Sequence, residues 1–490
     1  MSPKKKTKTK PKPIDIKLTL ENFGPLRKAE IDLKPMTIFI GPNNSGKSYA
    51  AMMFYSLFNS DWRADLGSRN FQWFMQHLPC REELGKVLDR DGSLLENNTP
   101  NVGKENMRKV AQSVFEGLSL NAFFEEITGC FGATLGELRR KPRRGFTARI
   151  GFGSSTISLK ANEKNIEVSE FQPGDYEIGD SFPITLPFFG PSLMSDKVLR
   201  REGELAALAQ SIALHALEPL YSKVVQRCFY LPAPRCGLMQ THRPFTEATL
   251  QQMNYTPSGR ASLSTLTKPI SDFLKITGTF PRFELGPLVD LERAMTLEMI
   301  DGYVGAERFN NQPRPHFWYQ LLDERKMELY RASSTVSELA PLLLYLRYLI
   351  APGDVLIIDE PEAHLHPENQ RILAKYLVRL VREGVNLIIT THSDYLFGHI
   401  NNYILWGKVR EKRLKEKSSD LPEDYLNPEE VGAYLFKRDK RIKTGVAYRT
   451  EALHCREKMT EDGLPEEMFI EANDDLYEDL SDARIALAKE

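Results

Sequence analysis

Four short segments hold residues whose types and spacing can do chemistry. Gly41 to Ser48 reads GPNNSGKS and fits G-x-x-x-x-G-K-[ST]. Glycines let the backbone wrap so that successive N–H groups point at phosphate oxygens, and a helix start behind the loop adds a favourable dipole. In this reading Gly41, Pro42, Asn43, Asn44, Ser45 and Gly46 form the cradle, with Tyr49 just beyond it. Lys47 brings a compact positive charge to the β and γ phosphates, and Ser48 offers a hydroxyl to Mg²⁺. The competing reading is an incidental loop.

The second segment, DVLIIDEPEAHLHP (Asp354 to Pro367), places two adjacent carboxylates after an apolar run. Asp359 would hold Mg²⁺ through its water shell, and Glu360 would take a proton from a water attacking the γ phosphate. Neighbouring strand residues point to opposite faces, which predicts separate roles for the two acids; two solvated acids opening a turn before Pro361 are the alternative. His364 and His366 allow a metal site with Glu362, or simply fix the loop. In the third segment, TTHSDYL, His392 stands at the end of the run VNLIIT, where an imidazole would contact the γ phosphate or the attacking water, or serve the fold alone. The fourth, ASSTVSE (Ala332 to Glu338), crowds hydroxyls at a predicted helix start. Thr335 and Glu338 make a capping-box pattern, and Pro341 is expected to bend the helix or move its start to about Ser337. Either this tip only caps its helix, or Ser333 and Ser334 bind the γ phosphate of ATP held by another subunit.

The elements that must position these residues follow from the patterning. IDIKLTL, AEIDL and MTIFI predict two or three strands leading into the glycine loop, and SYAAMMFYSLF a helix after it. Residues 61–140 read as ill-defined helices, and ARIGFG, STISLKA and NIEVSEF as antiparallel strands. A long helix is predicted from Lys197 towards the strand RCFYL. HFWYQLLDERKMELYRAS reads as a hairpin, and SELAPLLLYLRYLI and LVDLERAMTLEMI as helices. DVLIIDE and VNLIIT read as buried strands joined by an amphipathic helix bearing Ile372, Leu373, Tyr376, Leu377, Leu380 and Val381 on one face. Strand, helix, strand with continuously apolar strands predicts an α/β fold with a parallel sheet covered on both faces.

The chain has 490 residues, enough for two or three ordinary domains, and its 41% hydrophobic content can bury a sizeable core. Sixty-five Lys and Arg balance 66 Asp and Glu, so overall charge argues neither for nor against a polyanionic partner. The six lysines of the first thirteen residues predict a disordered tail that either touches nucleic acid or is merely solvated. Cys80, Cys130, Cys228, Cys236 and Cys455 are odd in number and scattered, which predicts a reduced, cytoplasmic setting. No apolar stretch is long enough to span a bilayer, so no membrane partner is expected.

Taken in order, GPNNSGKS after a strand, ASSTVSE, LIIDEPEAHLHP and TTHSD resemble the ABC-type ATPase heads of the RecF, SMC and OLD-family group, and LTLENFGPLRKAEIDLKPMTIFIGPNNSGKS resembles its N-terminal half. The resemblance implies a P-loop NTPase fold with a mixed or parallel sheet, an antiparallel β subregion and a helical insertion. It implies Lys47 and Ser48 as the phosphate loop, Asp359 as the Mg²⁺ acid, Glu360 as the catalytic base and His392 as a switch. ASSTVSE would be the signature that completes a partner's site in a head-to-tail dimer, although Thr335 stands where the group usually has glycine. YLPAPR recurs in such ATPases, with Arg235 either approaching phosphate or stabilising the sheet rim.

The expected organisation is a basic tail at 1–13, one half of the head at 14–60, an insertion at 61–229, a sheet strand and loop at 230–236, a second insertion at 237–320, the other half at 321–407, and a charged linker with a C-terminal extension at 408–490. About three hundred residues separate the loop from the acid pair and LSGGQ is absent, which argues against a transporter subunit. Only about eighty residues follow Trp406, and Asp474 and Asp475 sit in a predicted acidic helix, so a Toprim nuclease is not expected within this chain. The resulting expectation is a Mg²⁺-dependent ATPase, self-associating, driving or sensing for a separate effector and possible DNA in bacterial defence or DNA maintenance. The alternatives are a slow-turnover ATP-binding scaffold and a single-chain nuclease.

Overall fold

The computed structural model describes residues 14–60, 120–140, 145–153, 155–172, 227–240, 266–280, 284–308, 315–416, 422–438 and 450–454, with a few single positions between. The lysine tail, the predicted long helix from Lys197, most of the predicted helices of 61–119 and the acidic C-terminal helix lie outside the described residues. In chain order the strands are β1 (Ile16–Phe23), β2 (Leu26–Asp32), β3 (Met36–Ile40), β4 (Phe146–Phe152), β5 (Ser155–Ala161), β6 (Ile166–Gln172), β7 (Cys228–Leu231), β8 (Gly302–Glu307), β9 (His316–Leu321), β10 (Lys326–Glu328), β11 (Val355–Asp359), β12 (Asn386–Thr391), β13 (Val431–Arg438) and β14 (Thr450–His454). The helices are α1 (Lys47–Asn59), α2 (Leu120–Phe131), α3 (Leu135–Leu138), α4 (Lys268–Thr279), α5 (Val289–Ile300), α6 (Ser334–Tyr348), α7 (Pro367–Arg382) and α8 (Asp394–Lys415).

The chain divides into two compact units. One gathers Leu33–Ala51 and the described residues from Cys228 onward; the other gathers Asp15–Asp32 and the described residues from Met52 to Arg227. The second unit is antiparallel, with strand order β6-β5-β4-β1-β2. In β4 and β1 buried residues alternate with exposed or half-buried ones, as one-sided burial requires. The tight β1–β2 turn pairs Phe23 with Leu26.

The first unit holds the predicted parallel sheet. Its strand order is β14-β13-β3-β12-β11-β7, all parallel except β14, which runs against β13. All five residues of β3, all six of β12 and the first four of β11 are buried, so neither face of these strands meets solvent. The face of α7 is the predicted one, and all six named residues are buried in the same core as the sheet. Each fully buried Leu or Ile there stabilises the fold by about 1.5–3 kcal/mol. The predicted hairpin is β9–β10, extended by β8 into a three-stranded sheet.

Helix α6 departs from expectation at its start. It begins at Ser334 rather than near Ser337, and Pro341 lies inside it. Every residue from Val336 to Arg347 is buried, and that packing outweighs the hydrogen bond lost at proline, about 3 kcal/mol. The cap is Ser333, whose Oγ accepts from the Val336 N–H at 3.4 Å, so the Thr335–Glu338 capping box does not form.

Between α8 and β13 the chain crosses back over α7 and α8. Asp424 pairs with Arg379 at 2.7 Å, and Arg382 and Arg410 lie over the Tyr425 ring at 3.7 and 4.4 Å. The crossing is close: the Leu426 N–H donates to the Tyr403 carbonyl, and a Cβ on Gly407 would stand 1.9 Å from the Leu426 carbonyl oxygen. Backbone must therefore shift to admit any side chain there. Gly407→Ala is expected to destabilise the protein by about 1–3 kcal/mol in equilibrium chemical unfolding, through overpacking against backbone.

Candidate functional site

Parallel register brings the chemistry to one rim. Ile358 of β11 pairs with Leu231 of β7, Asp359 with Thr390 of β12, and Thr391 with Ile40 of β3, so the strands end together. Ligands collect at such carboxyl ends in open α/β sheets. The glycine loop leaves β3 and enters α1. Gly41 has φ +144°, and a Cβ on it would stand 2.3 Å from the Phe436 carbonyl oxygen of β13. Only glycine fits that approach. Pro42, Asn43 and Asn44 are exposed on the loop, Asn44 is left-handed at φ +58°, and Ser45, Gly46 and Lys47 are buried beneath it. Tyr49 is half-buried in the first turn of α1. Lys47 Nζ donates to the carbonyl oxygens of Gly41 and Pro42 at 2.7 and 2.9 Å, which holds its charge inside the loop.

Asp359 joins the loop to the sheet. Its Oδ1 accepts from Ser48 Oγ at 3.0 Å and from Thr390 Oγ1, and its Oδ2 accepts from Tyr230 Oη at 3.3 Å. Burial pushes this carboxyl above the usual range; the hydroxyl donors oppose the shift, and the Glu360 charge adds to it. A hydroxyl and a carboxylate oxygen converging at 3.0 Å are the hard oxygen donors that suit Mg²⁺, and a cation there would offset the cost of the buried charge.

Glu360 is not the next residue of the strand. β11 ends at Asp359, and Glu360 turns left-handed at φ +50°, a conformation that costs a non-glycine residue about 1–3 kcal/mol. The expected separation of the two acids by strand alternation is therefore replaced by a backbone turn. That turn is held from two sides. The Glu360 N–H donates to Thr390, reaching both its carbonyl and Oγ1 at 3.1 Å. From the other side Arg235, a buried residue, donates from Nη1 to the Asp359 carbonyl at 2.8 Å and from Nη2 to the Glu360 carbonyl at 3.0 Å. Nη2 also stands 2.6 Å from Oε1 of the buried Glu338. Burial lowers the pKa of the guanidinium, opposed by the charges of Glu338, Glu362, Asp359 and Glu360. These contacts are the ones that the rim-stabilising alternative for Arg235 requires.

His392 stands on the same rim, with Nδ1 3.4 Å from Glu360 Oε1 and 3.6 Å from Glu362 Oε1. Glu362 Oε1 accepts from Thr391 Oγ1 at 2.6 Å and from the His392 N–H at 3.0 Å, so it fixes the backbone on which the imidazole rides. His366 caps α7, its Nδ1 accepting from the Glu368 N–H at 3.3 Å, which is the loop-fixing alternative of the sequence reading. Ser333 and Ser334 are exposed at the tip of α6. The sequence reading missed what Tyr230, Glu338 and Thr390 do; the one available signal was the paired Thr390–Thr391 immediately before His392.

The raised Asp359 pKa has a sign that can be measured. A carboxyl favoured as the neutral form in the folded state costs stability when ionised. That cost is full above the folded pKa and disappears as pH falls through it to the unfolded value. Asp359→Asn is expected to raise the melting temperature at pH 8 in metal-free buffer, with a gain that shrinks towards pH 4.

Two family models match the chain: "AAA ATPase domain" over residues 16–167, which contains the glycine loop, and "AAA domain, putative AbiEii toxin, Type IV TA system" over residues 275–398, which contains α6, the acid pair and His392. No curated protein matches. Among solved structures the chain is similar to an SMC head bound to the C-winged helix domain of ScpA, at 10% identity and TM-score 0.39 over 92% of this chain and 99% of that one. It is also similar to an SMC head domain from Thermotoga maritima, at 9% and 0.32 over 90% and 99%. A third is an SMC head domain with an extended coiled coil, bound to the C-terminal domain of ScpA derived from Pyrococcus furiosus, at 10% and 0.37 over 91% and 98%. A phosphate loop bonded to a carboxylate on the rim of a parallel sheet, with an AAA family model over each half of that arrangement, makes this the site of a P-loop ATPase.

Proposed function

We propose that this ATPase hydrolyses ATP with Mg²⁺ at the rim where Ser48 meets Asp359, and that it works as a nucleotide-gated head-to-tail dimer. The observation that carries the reading is the Ser48–Asp359 hydrogen bond at 3.0 Å, with Glu360 next in the chain and His392 3.4 Å from it. Loop N–H groups and Lys47 bind the phosphates, and Lys47 exchanges its carbonyl contacts for phosphate oxygens. Ser48 and Asp359 would hold the Mg²⁺, which would supply positive charge against the developing charge of the phosphates. Glu360 accepts the proton of the attacking water, and its fixed backbone turn keeps the carboxylate in place without reorganisation. His392, held by Glu362, meets the γ phosphate or that water.

The exposed Ser333–Ser334 tip would meet the γ phosphate of ATP held by a second copy, so that only the closed pair satisfies the nucleotide. We infer that opening and closing of this pair serves a separate effector in bacterial defence or DNA maintenance. The resemblance to RecF, SMC and OLD-family heads supports that setting, as does the toxin–antitoxin description of the family model over residues 275–398. Among the described residues no helix is long and apolar enough to cross a membrane.

Glu360→Gln is expected to lower ATP turnover by about 10²–10⁴-fold while ATP binding is retained and closed dimers accumulate. Phosphate release and light scattering with ATP read the two effects. Wild-type turnover in the variant would remove Glu360 from the reaction. ATPase activity strongly stimulated by DNA would mark a DNA-processing machine, and release of a bound protein on hydrolysis an effector switch.

A further inference from the structure

One buried ion pair links two parts of the proposed site that otherwise serve different nucleotides. Glu338 lies in α6, four residues after Ser334, and is wholly buried. Neither of its carboxylate oxygens has a hydrogen-bond partner within geometric limits; its contact is the ion pair to Arg235 Nη2 at 2.6 Å. The same guanidinium spans the carbonyl oxygens of Asp359 and Glu360. Stability alone does not explain this arrangement. Desolvating two charges is expensive, and an apolar pair of similar volume at such positions is commonly as stable or more so. A planar guanidinium with fixed donor directions is also a stiff connector. A shift of α6 along its axis moves Glu338, and through the guanidinium it moves the peptide whose left-handed turn aims the Glu360 carboxylate.

We propose that Glu338 and Arg235 are positioning residues that transmit engagement of the α6 tip to the acid pair of the same subunit. This rests on the dimer reading above. In that dimer the tip reads the partner's ATP while Asp359 and Glu360 act on the subunit's own. Each subunit then hydrolyses in response to the nucleotide held by the other, and the two sites turn over cooperatively.

The test uses the full chain and three changes: Arg235→Lys, which keeps the charge and loses the fork; Glu338→Gln, which keeps the volume; and the apolar pair R235M/E338L. Each is also placed in a Glu360→Gln background for ATP affinity and for ATP-dependent dimerisation by light scattering. Wild type is expected to show a Hill coefficient for ATP hydrolysis above 1. All three are expected to lower kcat by about tenfold and bring the coefficient to 1, with ATP affinity changed less than about threefold. The apolar pair separates positioning from stability: it is expected to melt at or above the wild-type temperature and still lack cooperativity. Should it fail to fold, Arg235→Lys carries the same reading. Wild-type kcat and Hill coefficient in the apolar pair or in Arg235→Lys would overturn the relay while leaving the dimer intact. A Glu360→Gln parent that stays monomeric with ATP would overturn the dimer reading, and the relay with it.

Discussion

A half-buried carboxylate at the end of one parallel strand is the constraint on which the site depends. Asp359 has to be where β11 stops, because only there can Ser48, Thr390 and Tyr230 reach it from the glycine loop and from the strands on either side. That placement is expensive, since burial favours the neutral form. The continuous apolar strands and the helices packed over them supply the stability that lets the charge remain. The chemistry of the rim and the hydrophobicity of the sheet are two sides of one arrangement.

The peptide after Asp359 carries the second constraint. A left-handed glutamate is strained, and the strain persists because Thr390 binds the N–H of Glu360 while Arg235 binds its carbonyl. The fold thereby spends backbone energy to separate two adjacent acids, one turned into the hydroxyl cluster and the other free to meet His392. Glu362 repeats the device one strand over, holding the backbone beneath His392 with a buried carboxylate. If Glu360 and His392 act as proposed, backbone held beneath each of them keeps reorganisation small when charge develops, which is where preorganised sites gain most of their rate.

What the residues alone reveal is local. Gly41 to Ser48 can be recognised without coordinates because the loop's requirements, glycine at a backbone crossing and lysine before a hydroxyl, are met within eight positions. Asp359, Glu360 and His392 stand out for the same reason: each lies at or just beyond the end of a strand whose apolar run is continuous. Arg235 and Glu338 are separated by about a hundred residues, and nothing near either announces the other. Read locally, Glu338 satisfies a capping pattern; in the fold Ser333 takes the cap and the glutamate turns inward to the Arg235 guanidinium. The turn at Glu360 escapes notice because a left-handed position normally advertises itself with glycine or asparagine, and here neither is used.

The central claim is that one rim, built from the glycine loop, Asp359, Glu360 and His392, binds and cleaves ATP. An experimental structure of the full chain with Mg²⁺ and a non-hydrolysable ATP analogue tests it most directly. The account predicts the γ phosphate against Lys47, the metal on Ser48 with Asp359 behind it, and Glu360 and His392 facing the γ phosphate. A nucleotide seated elsewhere, or a metal held away from Ser48 and Asp359, would contradict it.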